Sequence, residues 1–565
     1  MSRIIKNTFI SFIVFLLILA WWSSLNIGLS GDEYSHHING LKRFNFLITL
    51  GEAKNFRFNN NELYPGFYDT LSYALGLIIF LINDEFYANN IDFVMHLFNI
   101  IISSLSILGL YLLSKKFFNQ KIALLAVLLT LLNPFFFGHM GMNSKDVVVF
   151  FSLIWFSYFF YNYCTDDKKI FKNLFLFSFF IGFGCGVRLT FLVVIFPVIV
   201  CGLIYLFNKF KGHYIHLTKR LFLHFIFTFI ITVFLVILCW PHMIVEIQNG
   251  NFTEFFILIV DKTINWIDGP KIGFTNGEFY EVFNTPKSYF LDIIIYRVPI
   301  YFSVLMISSY FLIFVNKNFF QIEIKNLRLK FIILNFIALF PIILALILSV
   351  NLYDNLRLFL FVVPFFCVVA SFSVHYLINS FKNSWKIKFF FTVVFILFSL
   401  SFYRFVLLTP YQYDYINYSS LKFKNAEYKW EHDYWGTSYK ELVLKIKNKY
   451  SREEIQDMRF ANCSGDDTLL YYLYRHLGKK FIYVNKRFDE ANYMVIINRA
   501  TLWVFNNPAV EGLVDEKGII LLEDMERVVR APGAQTTCNE LYPGEDVLEV
   551  SRNGLTLSSL RKLSK

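Results

Sequence analysis

The sequence predicts an all-α polytopic membrane protein with a small C-terminal α/β extramembrane domain. Three observations predict it: the apolar composition, a series of span-length uncharged stretches, and basic loops that fall on one side of them. The 565 residues are 56% hydrophobic with a mean hydropathy of +0.49, above the roughly 45–50% apolar content of soluble domains. Runs such as Ile10–Trp22, Leu124–Leu132 and Phe331–Leu348 carry no charge, and about 20 such residues suffice to cross a bilayer as a helix.

Taken in order, the first span covers about 8–29, and a polar segment from Ser30 to about Pro65 follows. Apolar stretches then lie at about 67–83, 93–113, 121–137, 147–163, 172–187, 190–208, 221–239, 289–315, 331–350, 357–380 and 388–408. Five loops between them (115–121, 166–172, 209–220, 317–330 and 382–388) hold 17 Lys and Arg. The positive-inside bias places these loops together on the cytoplasmic side, provided that one stretch does not cross. That stretch is 67–83, introduced by Tyr64-Pro65-Gly66 and closed by Asp84-Glu85. It reads as a helix lying at the interface within a first outer loop of about 30–90. About eleven spans result, with the N-terminus cytoplasmic. Arg3 and Lys6 before a long apolar stretch read as an uncleaved anchor.

The domain boundary falls near Thr409: residues 1–408 form the transmembrane domain and 409–565 an extracytoplasmic α/β domain. Helices are expected at Glu441–Lys449 and Thr468–Leu477, and strands at Lys480–Asn485 and Met494–Asn498. The net charge of +11 points to topology rather than to nucleic acid. The region after 408 balances 22 basic against 22 acidic residues, so the excess sits in the membrane domain. Of seven cysteines, only Cys463 and Cys538 lie in the polar C-terminal region. A disulfide and two free thiols are equally compatible with their position, and no zinc-like spacing is present.

Polar residues at the outer ends of the spans carry the chemistry. Gly31-Asp32-Glu33-Tyr34-Ser35-His36-His37 follows the first span, and Asn143-Ser144-Lys145-Asp146 precedes another. Topology puts both at one membrane face. Carboxylates there serve as a general base or as ligands of a divalent cation such as Mg or Mn, with Asp32 and Asp146 the candidate ligands. Taken singly, each motif also fits a helix cap. Arg188, in Gly184-Cys185-Gly186-Val187-Arg188, and Arg357, in Tyr353-Asp354-Asn355-Leu356-Arg357, lie at the same face with Lys145. Guanidinium forks match phosphate, whereas snorkelling to head groups is the plainer account. His36, His37, His242 and Tyr64 are candidates for acceptor contact or support of the site, and the histidines also for metal contact.

The order of these features resembles the C-type (GT-C) glycosyltransferases, closest to the bacterial relatives of protein O-mannosyltransferases and of lipid A aminoarabinose transferases. Asp32-Glu33 is similar to the acidic motif of the first outer loop, and Asp146 to the acidic position of the second. Arg188 falls where relatives carry a basic residue after a Gly-rich helix, and 353–364 resembles their late Arg-containing loop. The resemblance covers about 8–380. Tyr64-Pro65-Gly66 departs from His-Pro-Pro, and Gly138-His139 stands where relatives have an Arg. Asp433-Tyr434-Trp435-Gly436 is only superficially similar to the peptide-reading motif of oligosaccharyltransferases, and a packing or turn role suits it better.

The resemblance implies a polyprenyl-phosphate-linked sugar as donor, an acceptor hydroxyl on a lipid, glycan or protein, and a bacterial cytoplasmic membrane. In this account Asp32 is the general base, Glu33 and Asp146 orient it or share a metal, and Arg188, Arg357 and Lys145 neutralise the departing phosphate. Displacement of this kind inverts the anomeric carbon. A polytopic transporter or lipid flippase is the competing reading, although that class more often shows inverted repeats and broken helices at the midplane.

Overall fold

The computed structural model describes residues 3–52, 64–265, 272–281, 285–381, 384–417, 429–430, 432–462, 467–479, 481–485, 490–498 and 543–564. Cys463 and Cys538 lie outside them, as does their proposed disulfide.

Each of the eleven predicted spans falls on a helix. Among the described residues eight helices are long and apolar enough to cross a membrane, and a ninth crossing is the bent pair Tyr289–Tyr296 and Ile300–Val315, which turns by 113°. The break falls at Val298-Pro299, as expected where proline removes a donor. The two remaining stretches form shorter helices, Gln120–Leu131 of 12 residues and Ile170–Cys185 of 16 residues. Gln120–Leu131 is buried along nearly its whole length among its neighbours, so it needs no lipid-facing turns. Tyr214–Leu238, by contrast, is mostly exposed, as suits a helix facing lipid.

Loop 115–121 meets loop 317–330, and loop 166–172 meets loop 209–220. Lys121 and His375 both reach Glu323, and Lys209 pairs with Asp167 at 2.7 Å. The helix Phe67–Ile82 has 16 residues and leaves Leu81 and Ile82 about 80% exposed, in keeping with an interfacial position.

The polar segment after Ser30 differs from expectation: Gly31–Ile48 is an 18-residue helix. Its start is a capping box, in which the Glu33 carboxylate reaches back to the Ser30 N–H at 2.9 Å. Ser30-x-x-Glu33 was the visible signal, overshadowed by the low apolarity of the segment.

After the last span the chain builds a five-stranded sheet in the order Ile482–Asn485, Arg459–Asn462, Tyr493–Ile497, Leu555–Leu563, Gly544–Arg552. The first three strands run parallel and the last two join antiparallel. Helices Tyr439–Lys449 and Asp467–Leu477 accompany the sheet. Their inner faces (Leu442, Val443, Ile446, Leu469, Tyr472 and Leu473) are fully buried in a second core, separate from that of the bundle.

The sheet domain docks onto the end of the bundle opposite the basic loops. Asp92, at the start of helix Ile91–Phe117, is buried between Lys440 at 2.9 Å and Arg475 at 2.6 Å. The Leu29 N–H donates to the Tyr472 hydroxyl at 2.7 Å. A buried carboxylate held by two cations is costly to leave uncompensated, so this cluster fixes the register between the domain and the first outer loop.

Candidate active site

Four chain segments far apart in sequence converge at the end of the bundle opposite the basic loops. Asp146 starts a span and is buried, capped by Asn143, whose side-chain carbonyl accepts the Asp146 N–H at 2.8 Å. One Asp146 oxygen lies 3.1 Å from Arg188 Nη2, and the other lies 3.7 Å from Arg357 Nε. Arg357 also pairs with Asp354 at 3.0 Å and stands 3.6 Å from Asp32. It therefore sits among three carboxylates, and three cations (Arg188, Arg357 and Lys145) face three acids (Asp32, Asp146 and Asp354).

The loop that presents Arg357 is shaped for it. Asp354 and Asn355 are consecutive left-handed residues, with φ of 53° and 60°, a conformation that short polar side chains tolerate best. The turn returns the guanidinium onto the Asp354 carboxylate three residues earlier. The guanidinium lies 5.1 Å from the Tyr353 ring and 4.8 Å from the Trp435 ring, both within cation–π range.

Exposure separates the acids. The Asp32 side chain is 42% exposed, whereas those of Asp146 and Asp354 are 4% and 2%. Only Asp32 of the three can meet a water-borne group without a rearrangement. Lys145 lies near it, its Nζ over the Tyr64 ring at 5.6 Å. Burial lowers the Lys145 pKa, and the Asp32 charge opposes that shift.

Glu33 does not face this pocket. It is fully buried, and beyond Ser30 it accepts from Asn99 Nδ2 at 2.8 Å and pairs with His96 at 3.1 Å. Its oxygens tie the first outer loop to helix Ile91–Phe117, which corrects the expected role beside the base. Glu33→Ala is expected to cost about 3 kcal/mol by stranding those buried partners. The check is a lowered Tm, with donor affinity unchanged in protein that remains folded.

The other candidates divide. His36 Nδ1 lies 2.9 Å from Asp69, and both line a small polar cavity of about 10 Å³ with Arg43, Tyr64 and Lys145. That volume holds about one water. His37 belongs to packing: it is buried between the Tyr73 and Tyr87 rings at 5.6 and 5.9 Å, and burial lowers its pKa to about 4. His242 stands near Arg43, with its pKa likewise lowered to about 4 by burial first and by Arg43 second.

Arg43 also accounts for the glycine at position 66. Its guanidinium donates to the Tyr64 carbonyl at 3.0 Å and occupies the space that a Cβ on residue 66 would need. Glycine is the residue that leaves room for it.

Among the described residues no group of three or more His, Cys, Asp or Glu could hold a metal. Asp32 and Asp146 both face Arg357, which supplies counter-charge to each.

Three contributors escaped the sequence reading. Asp354 stood in the quoted motif, three residues before Arg357, without a role. His139, in place of the relatives' Arg, is fully buried and contacts Asn143 and Tyr434. Trp435 comes from beyond the membrane domain.

Comparison with known proteins agrees with this architecture. Residues 75–240 match the family model described as dolichyl-phosphate-mannose-protein mannosyltransferase. The structure is similar to that of ArnT from Cupriavidus metallidurans in the apo state, at 11% identity and a TM-score of 0.50 over 98% of each chain. It is also similar to ArnT bound to undecaprenyl phosphate, at 12% identity and a TM-score of 0.49 over 98% of each chain. The archaeal oligosaccharyltransferase AglB from Archaeoglobus fulgidus matches at 12% identity and a TM-score of 0.45, over 92% of this chain and 69% of that one. No curated protein matches the chain significantly. The family match lies within the bundle, and the ArnT fold extends across nearly the whole of this integral membrane protein.

Proposed function

We propose that the chain transfers a sugar from a polyprenyl-phosphate donor to an acceptor hydroxyl on the extracytoplasmic face, with inversion. One observation carries the reading: a partly exposed carboxylate, Asp32, stands 3.6 Å from a buried arginine that also contacts Asp146 and Asp354. A nucleophile-activating base and an anion receptor are thereby adjacent.

The acceptor oxygen forms a bond to the anomeric carbon while the bond from that carbon to the phosphate oxygen breaks. The hydroxyl proton passes to Asp32, and the electron pair leaves with the polyprenyl phosphate. Arg357, Arg188 and Lys145 stabilise that charge where it develops. Asp146 lies between the two arginines and aims them, a narrower role than orienting the acceptor. An arriving phosphate competes with Asp32 for Arg357 and so frees the base for its proton.

The match to a mannosyltransferase family model supports a glycosyl transfer, and the basic loops at the opposite end support an outward-facing pocket. A bacterial cytoplasmic membrane, with residues 409–565 outside, completes the proposal.

The test incubates the purified protein with radiolabelled polyprenyl-phosphate sugars and a panel of lipid, glycan and peptide acceptors. Release of free lipid phosphate together with a labelled acceptor is expected. Vectorial movement of intact donor in proteoliposomes, without cleavage, would replace this reading with that of a transporter.

A further inference from the structure

The turn Asp433–Gly436 lies outside the membrane domain, yet it touches both sides of the anion-receiving group. The Trp435 ring covers the Arg357 guanidinium at 4.8 Å, and the Trp435 carbonyl accepts the Gly31 N–H, next to Asp32, at 3.1 Å. The Tyr434 hydroxyl lies 3.0 Å from His139 Nε2.

The network assigns the protons between them. Asn143 Nδ2 has two hydrogens, one directed to Asp146 at 3.1 Å and one to His139 Nδ1 at 3.3 Å. His139 Nδ1 is thus an acceptor, which places the ring proton on Nε2, donated to the Tyr434 oxygen. Burial, with Arg357 and Arg297 adding to it, holds His139 well below its usual pKa, so it stays neutral. The chain Tyr434–His139–Asn143–Asp146 is one continuous set of hydrogen bonds.

The turn itself is rigid. Gly436 has φ +66°, and a Cβ there would meet the Tyr439 ring at 2.6 Å. The Asp433 carboxylate accepts from the Thr437 N–H at 2.8 Å, the Ser438 N–H at 3.1 Å and the Tyr413 hydroxyl. It has no contact with the pocket acids: its task is to hold the two aromatic residues in place.

We propose that Tyr434 and Trp435 are positioning residues for the transfer, so that the C-terminal domain completes the phosphate-receiving site. Trp435 holds Arg357 in a fixed plane against the pull of three carboxylates. Tyr434 does the same for Asp146 through His139 and Asn143. This rests on the proposed polyprenyl-phosphate chemistry and adds a requirement for the docked domain.

The experiment measures binding of undecaprenyl phosphate and of undecaprenol to the full-length purified protein. The variants are Trp435→Ala, Trp435→Phe, Tyr434→Phe, Arg357→Ala and the double Trp435→Ala/Arg357→Ala. A cation–π contact of the usual strength predicts about tenfold weaker phosphate binding for Trp435→Ala, with undecaprenol binding unchanged. Trp435→Phe retains most of the affinity, and Tyr434→Phe loses about threefold by freeing His139. The double variant binds no worse than Arg357→Ala alone.

Equal loss for phosphate and alcohol, or losses that multiply in the double variant, would reduce Trp435 to ordinary packing and overturn the inference. Should Trp435→Ala fail to fold, Trp435→Leu, which keeps an apolar side chain without a ring, takes its place and is read by the same phosphate-to-alcohol ratio. If Arg357→Ala itself leaves phosphate binding intact, the proposed donor site fails instead.

Discussion

Asp32→Asn is expected to lower the rate of sugar transfer by roughly 10²–10⁴-fold, the range for loss of a general base. The substitution keeps the volume of the side chain and an oxygen facing Arg357, 3.6 Å away in the native pocket. It removes the capacity to take the acceptor proton. Because the Asp32 side chain is 42% exposed, no buried charge is stranded, so yield, membrane insertion and Tm stay close to those of the native chain. Initial rates of lipid-phosphate release at saturating donor provide the check. A variant with native kcat would remove Asp32 as the base and pass the role to a group on the acceptor or to water.

Arg357→Ala produces the second large loss, about 10²–10³-fold in kcat, the magnitude seen when one pre-aimed donor to a developing negative charge is removed. It differs from the first in its side effects. Asp146 and Asp354 are buried and both lie within 4 Å of Arg357, so deletion leaves two carboxylates short of counter-charge and lowers stability as well. Arg357→Lys separates the two effects. It retains the charge but loses the planar fork and the fit between the Tyr353 and Trp435 rings. Stability near native with kcat well below it is the expected outcome. Arg188→Ala costs less than Arg357→Ala, because the Arg188 side chain is 20% exposed and, among the described residues, forms an ion pair with Asp146 alone. A larger rate loss at Arg188 than at Arg357 would reverse the assignment of the principal phosphate contact.

Much of the membrane domain was legible because apolar length and loop charge are local properties. The bilayer demands about 20 apolar residues per helix, and loops rich in lysine mark one side whatever lies between them. The short helix at 67–82 was legible too, from its apolar run and its flanking Pro and Asp residues.

What escaped was local signal in polar sequence and every pairing over long range. Ser30-x-x-Glu33 announced the helix 31–48, yet its low apolarity hid it. In the C-terminal domain Asn553-Gly554 form the tight turn between the last two strands, with φ of 52° and 78°, and that dipeptide is a strong hairpin signal. The three parallel strands depend on crossovers that no short window records.

The site divides in the same manner. Asp32, Asp146, Arg188 and Arg357 were named one at a time, from their place at span ends. Nothing in the sequence said that Arg357 would contact both Asp32 and Asp146, or that Trp435 would cover it. Glu33 was misassigned because adjacent carboxylates look alike in sequence. On a helix, residues 32 and 33 point about 100° apart, which sends one to the pocket and the other to the cap.

The measurement that bears most directly on the account is thiol labelling of Asp32→Cys with a membrane-impermeant reagent, on sealed vesicles of known orientation, with and without undecaprenyl phosphate. The account predicts labelling from the extracytoplasmic side and protection by the lipid phosphate. Labelling confined to the cytoplasmic side, or undiminished at saturating lipid phosphate, would contradict it.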